Sequence, residues 1–210
     1  MSRLETYERI LDKADMLFRR FGFIKTPISD IARELEMSSA NIYKFFPSKK
    51  ALIEAVGEKR LQKLYRHIGM LTNTSKPVFQ RIKDIIYCIV EHFEDVIEKE
   101  YDLLYVDMMN DVMKFTVSKR KGYWKWPANM RNFLRNEVKN LLVIGIETES
   151  FQLDDPDATA SALIDCLSYA LEPSLLLLDA KPLRRERLER QFDLLERAVS
   201  AAPHTDENLC

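Results

Sequence analysis

The spacing of apolar residues most constrains the fold, because almost every segment repeats at the helical period. Between residues 79 and 96, apolar side chains recur at intervals of three and four: Phe79, Ile82, Ile86, Ile89, Phe93 and Val96. These intervals place them on one face of an α-helix. No segment shows the apolar–polar alternation of a half-buried strand over enough residues to predict one. The sequence therefore predicts an all-α protein.

Capping and chain-breaking residues divide this pattern into about nine helices. Ser2 and Glu5 match a capping box for the first helix, and Gly22 is a natural stop after it. Thr26 and Pro27 match an N-cap and a first helical position. The predicted helices cover residues 3–21, 27–35, 39–45 or 46, 49–70, 79–96, 101–115, 127–146, 156–178 with a kink at Pro173, and 182–201, with a basic, aromatic loop over 119–125.

Charge is distributed unevenly along the chain. Residues 1–66 carry 14 Lys and Arg against 9 Asp and Glu, whereas residues 67–210 carry 18 against 24. A basic first third on an acidic remainder indicates that one end of the molecule faces a polyanion. A segment of this charge also suits an ordinary solvated surface, so charge alone does not decide.

Several other classes of protein are disfavoured. There is no run of about 18 apolar residues, and residues 1–9 are too polar for a signal peptide, so we expect a cytoplasmic protein without a membrane partner. The three cysteines, Cys88, Cys166 and Cys210, are widely spaced and form no CxxC pair. We expect reduced thiols, with neither a disulfide framework nor a metal site.

Residues 26–49 predict a helix-turn-helix, because two short helices flank a three-residue turn, Glu36 to Ser38, and a longer helix follows. In the third helix, Ile42 and Phe45 or Phe46 can anchor inward, which leaves an outward face of Ser39, Ala40, Tyr43 and Lys44. Small side chains let a backbone approach a DNA groove, while tyrosine and lysine can reach phosphates or base edges. From periodicity alone, a short helix in an ordinary all-α protein remains the alternative.

The residues themselves closely resemble the TetR family of bacterial regulators. The family pattern is a Thr opening the second helix, Asp-Ile-Ala within it, and Tyr-x-x-Phe-x-Ser-Lys crossing into the fourth helix. This sequence has Thr26-Pro27-Ile28-Ser29-Asp30-Ile31-Ala32, Met37-Ser38, Ile42-Tyr43-Lys44-Phe45-Phe46-Pro47-Ser48-Lys49 and Leu52. The resemblance covers about residues 7–56. One departure is Glu36, where the family often has Gly, so we expect this turn to be closed differently.

The resemblance implies a three-helix DNA-binding domain over residues 1–48. A long fourth helix would join it to a ligand-binding and dimerisation domain over 49–203, with a frayed tail over 204–210. It implies a ligand-responsive transcriptional regulator, with repression as the usual mode, that binds palindromic double-stranded operator DNA. The expected homodimer forms through the last two helices, and a small, largely apolar effector releases it from DNA. No cofactor is expected.

The resemblance also assigns site residues. Phosphate contacts are expected from Thr26, Ser29, Tyr43 and Lys49, and base-facing positions are Ser39, Ala40, Asn41 and Lys44. In the short arm before the first helix, Arg3 alone is available to touch DNA. Candidate effector-pocket residues share aromatic or thioether side chains: Phe93, Tyr105, Met108, Met109, Met113, Trp124, Trp126, Phe133 and Tyr169. Such residues at helical spacing line a core more often than a pocket, so that alternative stays open.

Two alternatives come from other classes, an enzyme and a helical scaffold without DNA binding. Asp102, Asp107 and Asp111 could hold a divalent ion, although this spacing is more typical of a solvated helix face. The three histidines form no HExxH pair, and the chain has no GxGxxG, Walker or GxSxG motif. We therefore expect no enzyme and no catalytic residues. The outward face with Tyr43, Lys44 and Lys49 argues against the scaffold.

Overall fold

Nine helices are present in the residues that the computed structural model describes, 2–96, 125–171 and 180–200. They are α1 (Arg3–Phe21), α2 (Ile28–Glu34), α3 (Ser39–Tyr43), α4 (Lys49–Thr72), α5 (Val78–Glu94), α6 (Lys125–Glu147), α7 (Pro156–Cys166), α8 (Ser168–Leu171) and α9 (Lys181–Val199). Within these ranges there is no strand, and no helix has the length and apolar character needed to cross a bilayer. The prediction of an all-α protein is confirmed.

The chain divides into two compact units. Unit 1 consists of Met1–Leu64 and Glu94–Met130, and unit 2 of Tyr65–Phe93 and Arg131–Cys210. The long helices α4 and α6 each contribute residues to both units. The residues before α4, which carry the predicted helix-turn-helix, all belong to unit 1.

The apolar core of unit 1 is built from the first four helices. It contains Ile10, Leu11, Ala14, Leu17 and Phe18 of α1, Ile28, Ile31 and Ala32 of α2, Ile42 of α3, and Leu52, Ile53 and Val56 of α4. The start of α4 therefore belongs to this core, although the predicted first domain ends at residue 48. The predicted limits of 1–48, 49–203 and 204–210 remain a prediction.

Both ends of α1 have the predicted capping residues. The Glu5 amide donates to the Ser2 hydroxyl at 3.1 Å, and the Ser2 amide donates to the Glu5 carboxylate at 2.9 Å. This reciprocal pair is a capping box, as expected. After the helix, Gly22 has a φ of 75°, a value that glycine adopts at little cost because it lacks a Cβ.

Ion pairs fasten α1 to α4 within unit 1. The Lys59 ammonium lies 2.8 Å from the Asp12 carboxylate, and Arg60 pairs with Asp15. The carboxylates of Asp12 and Glu8 raise the pKa of Lys59, although burial acts in the opposite direction. These contacts fix the register of α4 against α1. They therefore also position the N-terminus of α4, which follows α3 in the chain.

Several helix ends differ from those predicted, among them the start of α2, the end of α3 and the start of α6. Helix α2 begins at Ile28 with Pro27 as its N-cap, because the Thr26 hydroxyl donates to the Gly22 carbonyl instead of capping the helix. Helix α3 ends at Tyr43, before the predicted limit at Phe45 or Phe46. Helix α6 begins at Lys125, two residues before the predicted start.

The predicted helix over 156–178 is interrupted. Asp155 caps α7, but α7 ends at Cys166 and α8 begins at Ser168. The side-chain amide of Gln191 donates to the Cys166 carbonyl at 3.0 Å, which gives that carbonyl a partner from α9 at the interruption. Other predicted features lie outside the described residues: the helix over 101–115, residues 119–124 of the loop, the Pro173 kink and the tail over 204–210.

The core of unit 2 is formed by the apolar stripe of α5 packed against α9 and the end of α6. Phe79 lies edge-on to Phe192 of α9 at 6.4 Å and to Phe151 at 6.5 Å between ring centroids. At the margin, the Tyr87 hydroxyl donates a hydrogen bond to the Glu189 carboxylate. That hydrogen bond is the main reason why the pKa of Glu189 lies below its usual range, with Lys83 adding to the effect.

Candidate nucleic-acid interface

The turn between α2 and α3 is closed by backbone hydrogen bonds and a side-chain cap. The Met37 amide donates to the Ala32 carbonyl at 3.0 Å. The Ser38 hydroxyl then accepts from the Asn41 amide at 3.3 Å and so caps α3. Ile42 is 0% exposed in the core of unit 1. One anchoring side chain therefore fixes which face of this five-residue helix points outward.

Glu36 lies at the centre of this turn in a left-handed conformation, with a φ of 54°. The expectation that a residue other than glycine would close the turn differently is wrong for this backbone. The backbone at Glu36 adopts the left-handed conformation that glycine adopts at little cost. The Cβ of the glutamate makes this conformation sterically unfavourable.

The outward face of α3 carries the residues that the sequence assigns to base contacts. Ala40, Asn41 and Lys44 are exposed and Ser39 is half-buried. The Lys44 ammonium donates a hydrogen bond to the Asn41 side-chain oxygen at 3.0 Å. Tyr43 is 49% exposed beside them. We call these five residues the α3 face.

Acidic residues do not interrupt this face. No aspartate or glutamate occurs between residues 37 and 45. In the preceding helix α2, Asp30 pairs with Arg33 at 3.1 Å, and Glu34 pairs with Lys13 of α1 at 3.5 Å. Two carboxylates of α2 are thus partly offset by cations, which favours the approach of a polyanion.

The predicted phosphate contacts have different surroundings. Ser29, in the first turn of α2, is exposed, and Lys49, the first residue of α4, is half-buried. Thr26 is only 2% exposed, and its hydroxyl donates to the Gly22 carbonyl at 2.7 Å. Its position gives it a structural role in the turn before α2. The predicted contact between Thr26 and DNA remains a prediction that this burial does not support.

The segment after α3 brings the N-terminus of α1 close to the α3 face. The Tyr7 ring stacks on Phe46 with a centroid distance of 4.9 Å. The Arg3 guanidinium lies 5.9 Å from the centroid of the Phe45 ring. The sequence indicated that Arg3 is a cation available near the N-terminus, but it did not indicate the contact with Phe45. Contacts between residues 42 positions apart leave no local sequence signal.

Comparison with known proteins identifies this arrangement. The family model described as bacterial regulatory proteins, tetR family, matches residues 10–56, which include α2, the turn and α3. Residues 10–56 of the chain thus carry the pattern of the TetR family. This match favours a regulatory protein over the enzyme alternative.

The TetR-family assignment agrees with individual relatives. The negative regulator IcaR of the biofilm operon icaADBC in Staphylococcus aureus (strain Newman) is 29% identical over 109 residues, 52% of this chain and 56% of IcaR. The chain thus spans little more than half the length of that relative. The HTH-type transcriptional regulator YvkB of Bacillus subtilis (strain 168) is 26% identical over 171 residues, 79% of this chain and 83% of YvkB.

The fold of the chain is also similar to that of solved structures over most of its length. The crystal structure of RolR in complex with resorcinol aligns with a TM-score of 0.63 and 17% identity, and covers 95% of this chain and 89% of RolR. At this identity the likeness concerns the fold. The predicted architecture of an N-terminal helix-turn-helix followed by a helical remainder is confirmed.

The predicted effector-pocket residues of this chain are described only in part. Phe93 is buried in unit 2. The Phe133 ring lies 4.5 Å from that of Tyr65, and the Arg187 guanidinium lies 4.0 Å above the Tyr169 ring. These contacts do not bring the three candidates together, so the pocket remains a prediction. The side chains of Tyr105, Met108, Met109, Met113, Trp124 and Trp126, and the acidic residues Asp102, Asp107 and Asp111, lie outside what the structure describes.

Proposed function

We propose that this chain is a ligand-responsive transcriptional repressor. In this proposal it binds palindromic operator DNA as a homodimer through its last two helices, and a small, largely apolar effector releases it. The observation that carries the proposal is the α3 face, on which polar, aromatic and cationic side chains point outward while Ile42 anchors the helix. Such a face suits the major groove, where sequence is recognised through base edges.

A dimer makes one short recognition helix sufficient. A five-residue helix offers few contacts, but two copies spaced by about one DNA turn bind a palindrome cooperatively. Helix α9 supports such an arrangement, because Leu183 and Leu194 are 46% and 63% exposed. They lie eleven residues apart, about three helical turns, and therefore share one face of α9. Two exposed leucines on one face of α9 suit contact with a second copy of the same helix.

Repression and effector release are supported by relatives. IcaR is named a negative transcriptional regulator, and RolR has been crystallised with resorcinol. Release requires that the effector bind the DNA-incompetent arrangement more tightly. A tenfold loss of operator affinity needs about 1.4 kcal/mol of such preference.

DNA binding is tested with a duplex carrying the chain's own promoter region, in a mobility-shift titration at several salt concentrations. The affinity should fall steeply as salt rises, because phosphate contacts release counterions. Tyr43→Ala and Lys49→Ala should weaken binding to all sequences while the dimer stays intact by light scattering. Lys63→Ala is the matched control, since this exposed lysine lies 14 residues, about 21 Å, along α4 from Lys49. Normal binding by both test variants would contradict the assigned face.

The effector is sought by thermal shift against a panel of small apolar compounds. A ligand at 100 times its dissociation constant stabilises the folded state by about 2.7 kcal/mol, which a melting curve resolves. A compound that stabilises the protein should also dissociate the promoter complex. A panel whose binders leave that complex unchanged would contradict effector release.

A further inference from the structure

The hydrogen bond between Lys44 and Asn41 fixes the polarity of the α3 face. An ammonium group can only donate, so the Asn41 atom 3.0 Å from the Lys44 nitrogen is the carbonyl oxygen. The side-chain NH₂ of Asn41 is therefore left to point elsewhere, with two donor hydrogens. Lys44 keeps two further N–H groups after this bond. Both residues are exposed.

The side chains of residues 37–45, which include this pair, do not supply an anionic acceptor. Residues 37–45 contain no carboxylate. Ala40 has no polar side-chain atom, and Ser39 and Tyr43 carry hydroxyls that donate as readily as they accept. The side chains that surround Asn41 and Lys44 on α3 thus leave the pair as a concentrated set of donors with a positive charge.

The four bases differ in how well they can accept hydrogen bonds from such a set of donors. In the major groove guanine presents two acceptors, O6 and N7, whereas adenine presents the N7 acceptor next to an N6 amino donor. Cytosine presents an amino donor, and thymine a single acceptor beside a methyl group. An asparagine that binds adenine uses its oxygen to accept from N6. Here one of the two lone pairs of that oxygen is taken by the Lys44 ammonium, which places a cation and its remaining N–H donors next to the N6 amino donor of adenine.

We propose that Asn41 and Lys44 act as one donor unit that selects guanine in each half-site of the bound DNA. This inference rests on the proposed function, since it requires that the α3 face enter the major groove. It assigns Lys44 to a base edge. The competing assignment, a phosphate contact, would give affinity without sequence preference.

The test begins with selection of bound duplexes from a randomised library by the full-length wild-type protein. We expect one guanine to be enriched at a fixed position of each half-site. Replacing that G·C pair by A·T should weaken binding about fivefold to 150-fold, the range for a good bidentate contact. Replacing the guanine by 7-deazaguanine removes only the N7 acceptor and should weaken binding about 2-fold to 12-fold.

Protein variants then separate the two assignments of Lys44. In Lys44→Met and Asn41→Ala, the preference for guanine over adenine at this position should fall to within about twofold, the size of a weak single hydrogen bond. Both side chains are exposed, so circular dichroism should show unchanged folding. Lys63→Ala, which also removes one cation, should keep the full preference.

The outcomes are distinguishable. Selection that enriches no sequence would overturn the proposed function, and this inference with it. Enrichment of a palindrome without a guanine dependent on Lys44 would overturn the donor unit alone. A uniform loss of affinity in Lys44→Met, with the guanine preference intact, would assign Lys44 to a phosphate and likewise overturn it.

Discussion

Gly145 lies near the end of α6, where the Phe151 ring folds back over it. The amides of Ser150 and Phe151 both donate to the Gly145 carbonyl, at 2.8 and 3.0 Å, and so turn the chain back on the helix. A Cβ on Gly145 would lie 2.1 Å from the Cδ2 and 2.5 Å from the Cε2 of the ring. Because these distances are far inside van der Waals contact, Gly145→Ala must displace the ring.

The size of the effect follows from the packing of that ring. Phe151 is buried and lies edge-on to Phe79, so a shift of the ring disturbs the core of unit 2. Adding a methyl to a packed core costs about 1–3 kcal/mol. Alanine recovers about 0.5–1 kcal/mol over glycine within a helix. The net expectation for Gly145→Ala is a loss of about 1 kcal/mol in the free energy of unfolding, within a range from zero to about 2.5 kcal/mol.

Gly69→Ala is the matched control, because nothing lies within 4 Å of the Cβ position on Gly69 in α4. This variant should gain about 0.5–1 kcal/mol. Urea unfolding followed by circular dichroism measures both changes. Adding Phe151→Leu to Gly145→Ala should cost less than the sum of the two single changes, since the smaller side chain relieves the clash. Equal stabilities of Gly145→Ala and Gly69→Ala would refute the argument.

Three further predictions concern single residues. Glu36→Gly should stabilise unit 1 by up to about 1 kcal/mol in urea unfolding. A left-handed conformation costs a residue with a Cβ about 1–2 kcal/mol, but glycine also increases the conformational entropy of the unfolded chain, which offsets part of the stabilisation. A loss of stability would contradict this prediction. The lowered pKa of Glu189 contributes stability that is present above its unfolded value of 4.5 and is lost as pH falls through the folded value. Tyr87→Phe removes the main cause of that shift, so the loss of stability as the pH falls below about 4.5 should become shallower; an unchanged slope would contradict this. Asp155→Ala removes a side chain that accepts from two backbone amides at the start of α7 and should cost about 1 kcal/mol by thermal unfolding, whereas Asp155→Ser should cost less; equal losses would count against capping as the cause.

The features that could be predicted from the sequence are those with a local signal. The capping box of Ser2 and Glu5 and the inward anchor at Ile42 each depend on residues within one or two turns. Spacing therefore identified them. The order of helices and the outward face of α3 follow from the same local rules.

The features that could not be predicted depend on partners that are distant in sequence or on competition for one group. Thr26 looks like an N-cap, but its hydroxyl bonds to the carbonyl of Gly22, an acceptor that periodicity does not indicate. The interruption after Cys166 occurs where a side chain of α9 reaches its carbonyl. Glu36 adopts a conformation that its residue type disfavours, because the closed turn and the anchored α3 determine the backbone.

The same distinction separates stability from recognition on α3. Ile42 is held by the core and sets the orientation of the helix, whereas Asn41 and Lys44 are exposed and contact each other. Exposed substitutions away from caps and buried networks usually change stability by less than about 0.5 kcal/mol. The outward residues can therefore vary with DNA sequence while the fold persists. For this reason the sequence identifies the family through its anchors, whereas the choice of base depends on one side-chain hydrogen bond that only the structure shows.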